Sequence, residues 1–132
     1  MKAHRLNLRE EAHPAFELEL MDGTVIHTLP PKQSQVLELK KIAEKMVKVD
    51  KEDSAATERF ICLIFEFLSE ILSHNKEGLY LSVSDLRNKY LKSGAEPGDS
   101  EADRQQDELL VLTTVIGGFI EYISDITTQK NL

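Results

Sequence analysis

The sequence predicts a mainly α-helical α+β fold, in which a small N-terminal β-hairpin precedes a compact domain of four helices. One observation is the recurrence of apolar residues every three or four positions along three long segments, which is the pattern of amphipathic helices. The other is a short alternating segment around an Asp-Gly pair, which is typical of a hairpin. With 132 residues, 41% of them apolar, the chain is long enough for one modest core, so we expect a single domain over 1–132.

The first 14 residues predict a flexible arm. They contain several charges, two histidines and Pro14, and they show no helical or strand period. The opening stretch MKAHRLNLREE lacks the apolar segment of a signal peptide, and the single cysteine, Cys62, has no partner for an internal disulfide. Both features favour a cytoplasmic location.

Residues 16–28 predict the β-hairpin. Acidic and apolar residues alternate along its first strand, and the apolar ones share a face: Phe16, Leu18 and Leu20. The pair Asp22-Gly23 favours a two-residue type I′ turn, in which both positions need a positive φ. The β-branched segment 24–28 is then the returning strand, and the Leu-Pro-Pro sequence at 29–31 ends it.

An isolated two-stranded ribbon is only marginally stable in water, which leaves two interpretations of this hairpin. In one, its apolar face packs on the helices. In the other, it gains a strand, either from the segment 79–81 or, failing that, from a second subunit at its open edge, because an edge strand presents unpaired N–H and C=O groups. The residues of this candidate self-association edge are Thr24, Val25 and Ile26.

Segment 32–91 predicts three helices, of which the first two are long. The first spans about 32–49 and has an apolar stripe formed by Leu39, Ile42, Met46 and Val49. The second has Asp53 or Ser54 as its N-cap and extends to about His74. Its wide stripe of Phe, Ile and Leu side chains predicts that it lies at the centre of the core.

The third helix of this segment is short and spans about 83–91. Ser82 and Asp85 have the spacing of a capping box at its start. Leu81 and Leu86 occupy the two positions of a hydrophobic staple around that cap. These local signals fix where the helix begins.

A linker and a long last helix complete the chain. Residues 92–100 predict the linker because they contain two glycines, one proline and little apolar content. Ser100 with Asp103 predicts the cap of a helix over 101–127, whose seam consists of Leu109, Leu112, Ile116, Phe119, Ile123 and Ile126. Gly117-Gly118 costs this helix roughly 1 kcal/mol per glycine relative to alanine. We expect close packing of another segment there rather than a hinge, with a subunit interface as the alternative.

The residues that carry chemistry in enzymes form no recognisable site in this sequence. The motifs GxGxxG, GxxxxGK[ST], HExxH and GxSxG are missing, and no two of the four histidines have helical ligand spacing. Cys62 lies in the apolar stretch of the second helix, where we expect a buried and inert thiol. The sequence therefore predicts no catalytic residue, no cofactor, no metal and no enzymatic activity.

Charge and hydropathy limit the partners. The chain has 16 Lys and Arg against 23 Asp and Glu, and its net charge of −7 disfavours nucleic acid and anionic membranes as principal partners. The carboxylates between 96 and 107 are expected to be a solvated helix cap. No apolar run approaches the roughly 20 residues of a membrane span, and the nearest is 60–68.

In layout the chain resembles the tail assembly chaperones of long-tailed, lambda-like bacteriophages and related prophages. The resemblance covers about 16–132 and rests on the early strand pair LELMDGTVIHTLPPKQ, the stretch NKEGLYLSVSDLRNKYL and the terminal FIEYISDITTQKNL. It implies a protein without enzymatic activity that is not retained in the virion. Such a protein would bind the tape measure protein, keep it soluble and recruit tail tube subunits in the cytoplasm of the host.

A chaperone of this kind needs an exposed apolar stripe on its helices and would self-associate as a homo-oligomer. Aromatic side chains dominate interface energetics, which selects four candidate partner-binding residues: Phe65, Phe67, Phe119 and Tyr122. The same four side chains also suit a hydrophobic core, so the sequence leaves both interpretations open. The alternative function is a small cytosolic regulatory adaptor or an antitoxin-like protein-binding module.

Overall fold

A computed structural model describes residues 14–49 and 52–130 of the chain. This part of the chain contains an antiparallel hairpin and four helices, which confirms the predicted mainly helical α+β fold. The elements in chain order are β1 (Phe16–Glu19), β2 (Val25–Thr28), α1 (Gln33–Lys48), α2 (Ser54–Leu72), α3 (Val83–Asp85, continued by a π-helical turn over Leu86–Tyr90) and α4 (Glu101–Lys130). Residues 1–13 of the predicted arm lie outside the described residues.

The hairpin forms where we predicted it, but its turn differs. Asp22 does not adopt a positive φ; among the described residues only glycines do, and Gly23 has a φ of 90°. The Gly23 N–H donates to the Leu20 carbonyl (2.9 Å), and the Leu20 N–H donates to the Thr24 carbonyl (2.8 Å). The type I′ prediction is therefore wrong, and three residues form the turn with glycine alone in the left-handed region. The Asp22 carboxylate accepts the Thr24 N–H (3.0 Å), which stabilises this geometry.

Segment 79–81 is extended but is not a third strand, since the described residues contain no sheet partner beyond β1 and β2. It binds the last turns of α2 instead. The Ser69 hydroxyl donates to the Leu81 carbonyl (2.6 Å), and the Leu81 N–H donates to the Ser73 hydroxyl (2.9 Å). Serines one helical turn apart thus satisfy peptide groups that a strand partner would otherwise take.

Helix α2 lies at the centre of the core, as predicted. Ten of its 19 residues are buried, and it ends two residues before the predicted limit at His74. Contacts near both ends fix how its neighbours run: Gln35 of α1 reaches Glu70, and Lys45 of α1 lies 5.3 Å from the Phe60 ring centroid. Helix α1 is therefore antiparallel to α2. Helix α4 runs parallel to α2, because Gln105 donates to the Ser54 carbonyl at the start of both helices.

The predicted short helix begins with its predicted cap. The Ser82 hydroxyl accepts the Asp85 N–H (3.1 Å), and Leu81 and Leu86 of the predicted staple are both fully buried. After one α-helical turn the helix widens into a π-helical turn, which the Leu91 N–H closes by donating to the Leu86 carbonyl (2.7 Å). This wider turn determines the direction in which Arg87 points.

Helix α4 is continuous across both glycines, so no hinge interrupts it. At Gly118 a Cβ atom would lie 3.3 Å from the Phe16 ring, which explains the glycine by close packing of the hairpin. Phe16 also stacks at 4.8 Å from the Phe119 centroid, and the Tyr122 hydroxyl donates to the Pro14 carbonyl. The apolar face of the hairpin therefore packs on the helices, which was the first of the two interpretations.

By length and composition, residues Glu101–Thr127 of α4 are apolar enough to cross a membrane. We predicted no segment of this kind, because polar residues interrupt the apolar runs of this helix. Its most apolar window has a mean hydropathy of 1.6, and 33% of that window is buried within the domain. The core helix of a globular protein meets the same criteria, and α4 has such a core seam, with Leu112 and Phe119 fully buried.

We expect Asn75 to be the polar residue whose loss most destabilises the loop after α2. It is 8% exposed, its amide group donates to the Leu72 and Leu79 carbonyls (2.8 Å each), and its amide oxygen accepts the Leu79 N–H (2.9 Å). Asn75→Ala leaves these buried groups unpaired and should lower the free energy of unfolding by about 2–3 kcal/mol in a urea titration. As a control, Asn88→Ala removes an exposed amide and should change it by less than about 0.5 kcal/mol. Equal effects would contradict this role of Asn75.

Candidate partner-binding groove

The four aromatic residues proposed for partner binding do not form an exposed stripe. Phe65 and Phe119 are 1% and 0% exposed, and Phe67 is 9% exposed. Tyr122 is half-buried against the Phe16 and Phe119 rings, and burial raises its pKa to about 12. Of the two interpretations that the sequence left open, the structure places Phe65, Phe67 and Phe119 in the core, and a role of these residues in partner binding stays a prediction. The large apolar area that dominates interfaces also drives burial in the core, and the structure uses these side chains in the core.

The proposed self-association edge is also largely closed. Ile26 is fully buried, and the strand register turns its peptide groups toward Leu18 on β1. The peptide groups of Thr24 are used within the turn. Further along the same edge, His27 donates its N–H to the Glu77 carboxylate and accepts the Lys76 N–H. Of the three predicted residues, Val25 alone presents outward-facing peptide groups.

An apolar groove lies between α1 and the C-terminal half of α4. Its deeper section has a volume of about 320 Å³ and an almost entirely apolar wall. The residues that line this section are Val36, Leu39, Lys40, Ile120, Ile123, Ser124 and Thr127. A second section of about 300 Å³ shares four of these residues and extends the groove to Pro30, Pro31 and Ile126. The two prolines that end the hairpin thus form one end of the groove.

Local sequence explains why this groove stays open. Gln33 begins α1 after the two prolines, and the Gln35 side chain accepts the Lys32 N–H (2.8 Å) to cap it. The apolar stripe of α1 is narrow, with Leu39 and Ile42 buried and Val47 87% exposed. Helix α4 carries apolar residues over more than one face, so α1 and α2 do not cover all of them. Ile120 remains 36% exposed at the groove.

A charged cluster joins α2, α3 and the start of α4 on another side of the domain. Arg87 contacts Glu58 (2.6 Å) and Glu108 (2.8 Å), and Arg104 binds the same two carboxylates. Burial opposes ionisation of Glu58, but hydrogen bonds from Arg87, Arg104 and Gln105 outweigh it and lower the pKa of this carboxyl. Hydrogen bonding to Glu108 likewise raises the pKa of Arg87.

The charged groups of this cluster are neutralised within the cluster. Two arginines and two glutamates pair with one another and line a wide cavity of about 670 Å³ under the linker. Cys62 beside them is half-buried rather than fully buried, with its sulfur 3.6 Å from an Arg87 nitrogen. Sequence patterns did not predict this cluster, because its members come from three separate elements. We interpret it as a clamp that fixes α3 and α4 on α2.

The described residues contain no group of three or more His, Cys, Asp and Glu side chains that could hold a metal ion. His27 contacts Glu77 (2.7 Å) and Glu17 (3.6 Å), and His74 is exposed at the end of α2. His4 and His13 lie outside the described residues. The apolar groove has a lining whose chemistry suits an apolar ligand.

The chain was compared with family models, curated proteins and solved structures. No family model matches the chain, and neither does any curated protein or solved structure.

Glu58 should make the stability of the domain depend on pH. Its pKa is lowered in the folded state, so the unfolded state binds the proton first as the pH falls below the ordinary value of 4.5, and the stabilisation is then lost. We expect Glu58→Gln to unfold more readily than wild type at pH 7, and we expect this difference to shrink as the pH falls through the folded-state pKa. Urea titrations between pH 3 and 7 measure this.

The control for this experiment is Glu66→Gln, on the exposed side of the same helix. Glu66 forms no ion pair with any described residue. Its substitution should leave the pH dependence of unfolding unchanged. A constant difference between wild type and Glu58→Gln over the whole pH range would contradict the proposed coupling.

Gly117 offers a test of the helix itself. It is exposed, and a Cβ atom at this position would meet nothing within 4 Å. Gly117→Ala should therefore raise the free energy of unfolding by about 0.5–1 kcal/mol, because alanine loses less backbone entropy in a helix. Gly118→Ala should raise the free energy of unfolding by less, since the Phe16 ring must move aside. Thermal unfolding of both variants measures the difference, and a loss of stability in Gly117→Ala would contradict the open geometry.

Proposed function

We propose that this protein is a phage tail assembly chaperone that binds the tape measure protein, keeps it soluble and recruits tail tube subunits, without being retained in the virion. The single observation that carries the proposal is the apolar groove between α1 and α4. A tape measure protein is a long helical polypeptide, and its apolar stripe has to be covered before the tail assembles. A groove between two helices is suited to covering such a stripe.

The composition of the domain supports the same proposal. A chaperone must expose apolar surface and still remain soluble, and the net charge of −7 provides repulsion between copies. All five phenylalanines are at least partly buried, and the apolar side chains at the groove are aliphatic, such as the partly buried Val36 and the exposed Ile120. Such a surface binds weakly enough to release its client when tube subunits arrive, since affinity depends on a few large anchors.

Co-expression with a helical fragment of a candidate tape measure protein tests the proposal. The wild-type chain should raise the soluble yield of that fragment, because the fragment's apolar stripe is shielded from aggregation. Ile120→Glu places a charge in the groove and should abolish most of the gain. No gain with the wild-type chain, for the tape measure encoded beside it, would contradict the proposed function.

Leu63→Glu is the matched control for Ile120→Glu. Leu63 is 42% exposed against 36% for Ile120, it also lies on a long helix, and it does not line the groove. Its substitution should preserve the gain in soluble yield. Equal loss in both variants would indicate a general effect of surface charge instead of a specific groove.

A further inference from the structure

The two adjacent glycines of α4 have different explanations within the domain. Gly118 makes room for the Phe16 ring, whereas a Cβ placed at Gly117 would meet no described residue within 4 Å outside its own helical turn. A glycine inside a helix costs roughly 1 kcal/mol relative to alanine. The described residues do not account for this cost at Gly117. A helical glycine also makes room for a second backbone, and the described contacts leave the space beside Gly117 open to one.

Helical spacing places Gly117 on the face of α4 that lines the groove, one turn before the first lining residue, Ile120. Gly117 precedes the lining residues Ile120 and Ser124 by three and seven positions, which puts all three on one face of α4. Thr113 lies one turn earlier on that face and is exposed. This face of α4 therefore has its smallest residue at Gly117. It continues toward Leu110, which is 67% exposed.

Helix α1 has a matching stripe across the groove. Val36, Lys40, Ala43 and Val47 repeat at spacings of four, three and four, and the first two line the groove. Because α1 and α4 run antiparallel, Ala43 falls near the level of Gly117. Just beyond the end of the groove that Lys40 and Ile120 line, the two stripes thus have their smallest residues, Ala43 and Gly117. This is the shape into which a helix fits at short interaxial distance.

We propose that a single amphipathic helix of the partner lies in this groove, crosses α4 most closely at Gly117 and places a carboxylate against Lys40. The inference rests on the proposed function and names the binding site and the chemistry of its client. Lys40 is the one charged side chain among the described residues that line the two sections of the groove. A carboxylate at the edge of the client's apolar face would neutralise it.

A second copy of this chain is a poorer occupant than a partner helix. Two copies that packed through the same face would bring their Lys40 ammonium groups to one interface. The repulsion between these ammonium groups opposes association, whereas an acidic residue flanking an apolar client helix is attracted to Lys40. The groove therefore selects a heterologous helix by its charge as well as by its shape.

Fluorescent helical peptides of about 20 residues test the proposal with the full chain. One peptide has leucines at helical spacing, a central alanine and glutamates beside the apolar face; a second has lysines in place of the glutamates; a third is a scrambled version. Wild type should bind the glutamate peptide best. Gly117→Leu should weaken this binding about tenfold or more, because its side chain occupies the crossing point, and Gly117→Ala should weaken it less.

Two further variants separate steric from electrostatic effects. Ala102→Leu adds a comparable side chain at an exposed position of the same helix, about 22 Å from Gly117, and should leave binding unchanged. Lys40→Glu should reverse the preference between the glutamate and lysine peptides. Circular dichroism of each variant establishes that the fold is retained, which the open space at Gly117 favours.

Several results would overturn the proposal. One is equal binding of the glutamate peptide by wild type and Gly117→Leu, and another is equal binding of the scrambled peptide. A change in oligomeric state for Gly117→Leu, with peptide binding unaffected, would assign the groove to a second copy. If wild type binds the peptide but does not solubilise a tape measure fragment, the site stands and the proposed function fails. If Gly117→Leu solubilises that fragment as well as wild type does, the function stands and the site fails.

Discussion

The rest of the structure depends on burying the wide apolar face of α2. This helix has more apolar residues than one neighbour can cover, and ten of its 19 residues are buried. Helices α1 and α4 pack beside it, α3 and the segment 79–81 close its far end, and the hairpin packs on α4. Helix α1 also packs on α4 as extensively as α2 does, and the apolar groove lies along this junction.

The groove links the fold to its proposed activity. It lies along the packed junction of α1 and α4 and is bounded at one end by the prolines that end the hairpin. The charged clamp of Glu58, Arg87, Arg104 and Glu108 holds the start of α4 on α2, at the opposite end of the helix from the groove. A domain can in this way keep an apolar surface exposed while its core remains well packed.

Much of the fold was predictable because its signals are local. Ser82 and Ser100 cap the helices that follow them, as their spacing to Asp85 and Asp103 indicated, and the linker at 92–100 has no helix or strand. The candidate site was less predictable. Phe65, Phe67 and Phe119 suit an interface and a core equally well, and their burial is decided by which elements pack on them. The residues of the charged clamp lie up to 50 positions apart in the sequence, as Glu58 and Glu108 do. No pattern within a short segment therefore predicts the whole cluster.

The sequence by itself determined most of the elements, their order and the acidic balance of charge, because helical period, capping residues and charge are properties of short segments. The tertiary structure alone decided which apolar side chains stay exposed, how Asp22-Gly23 turns, and what each of two neighbouring glycines does. Gly117 and Gly118 are indistinguishable along the chain. A rotation of 100° between successive residues directs one toward the Phe16 ring and the other toward open space, and only the packed domain shows which is which.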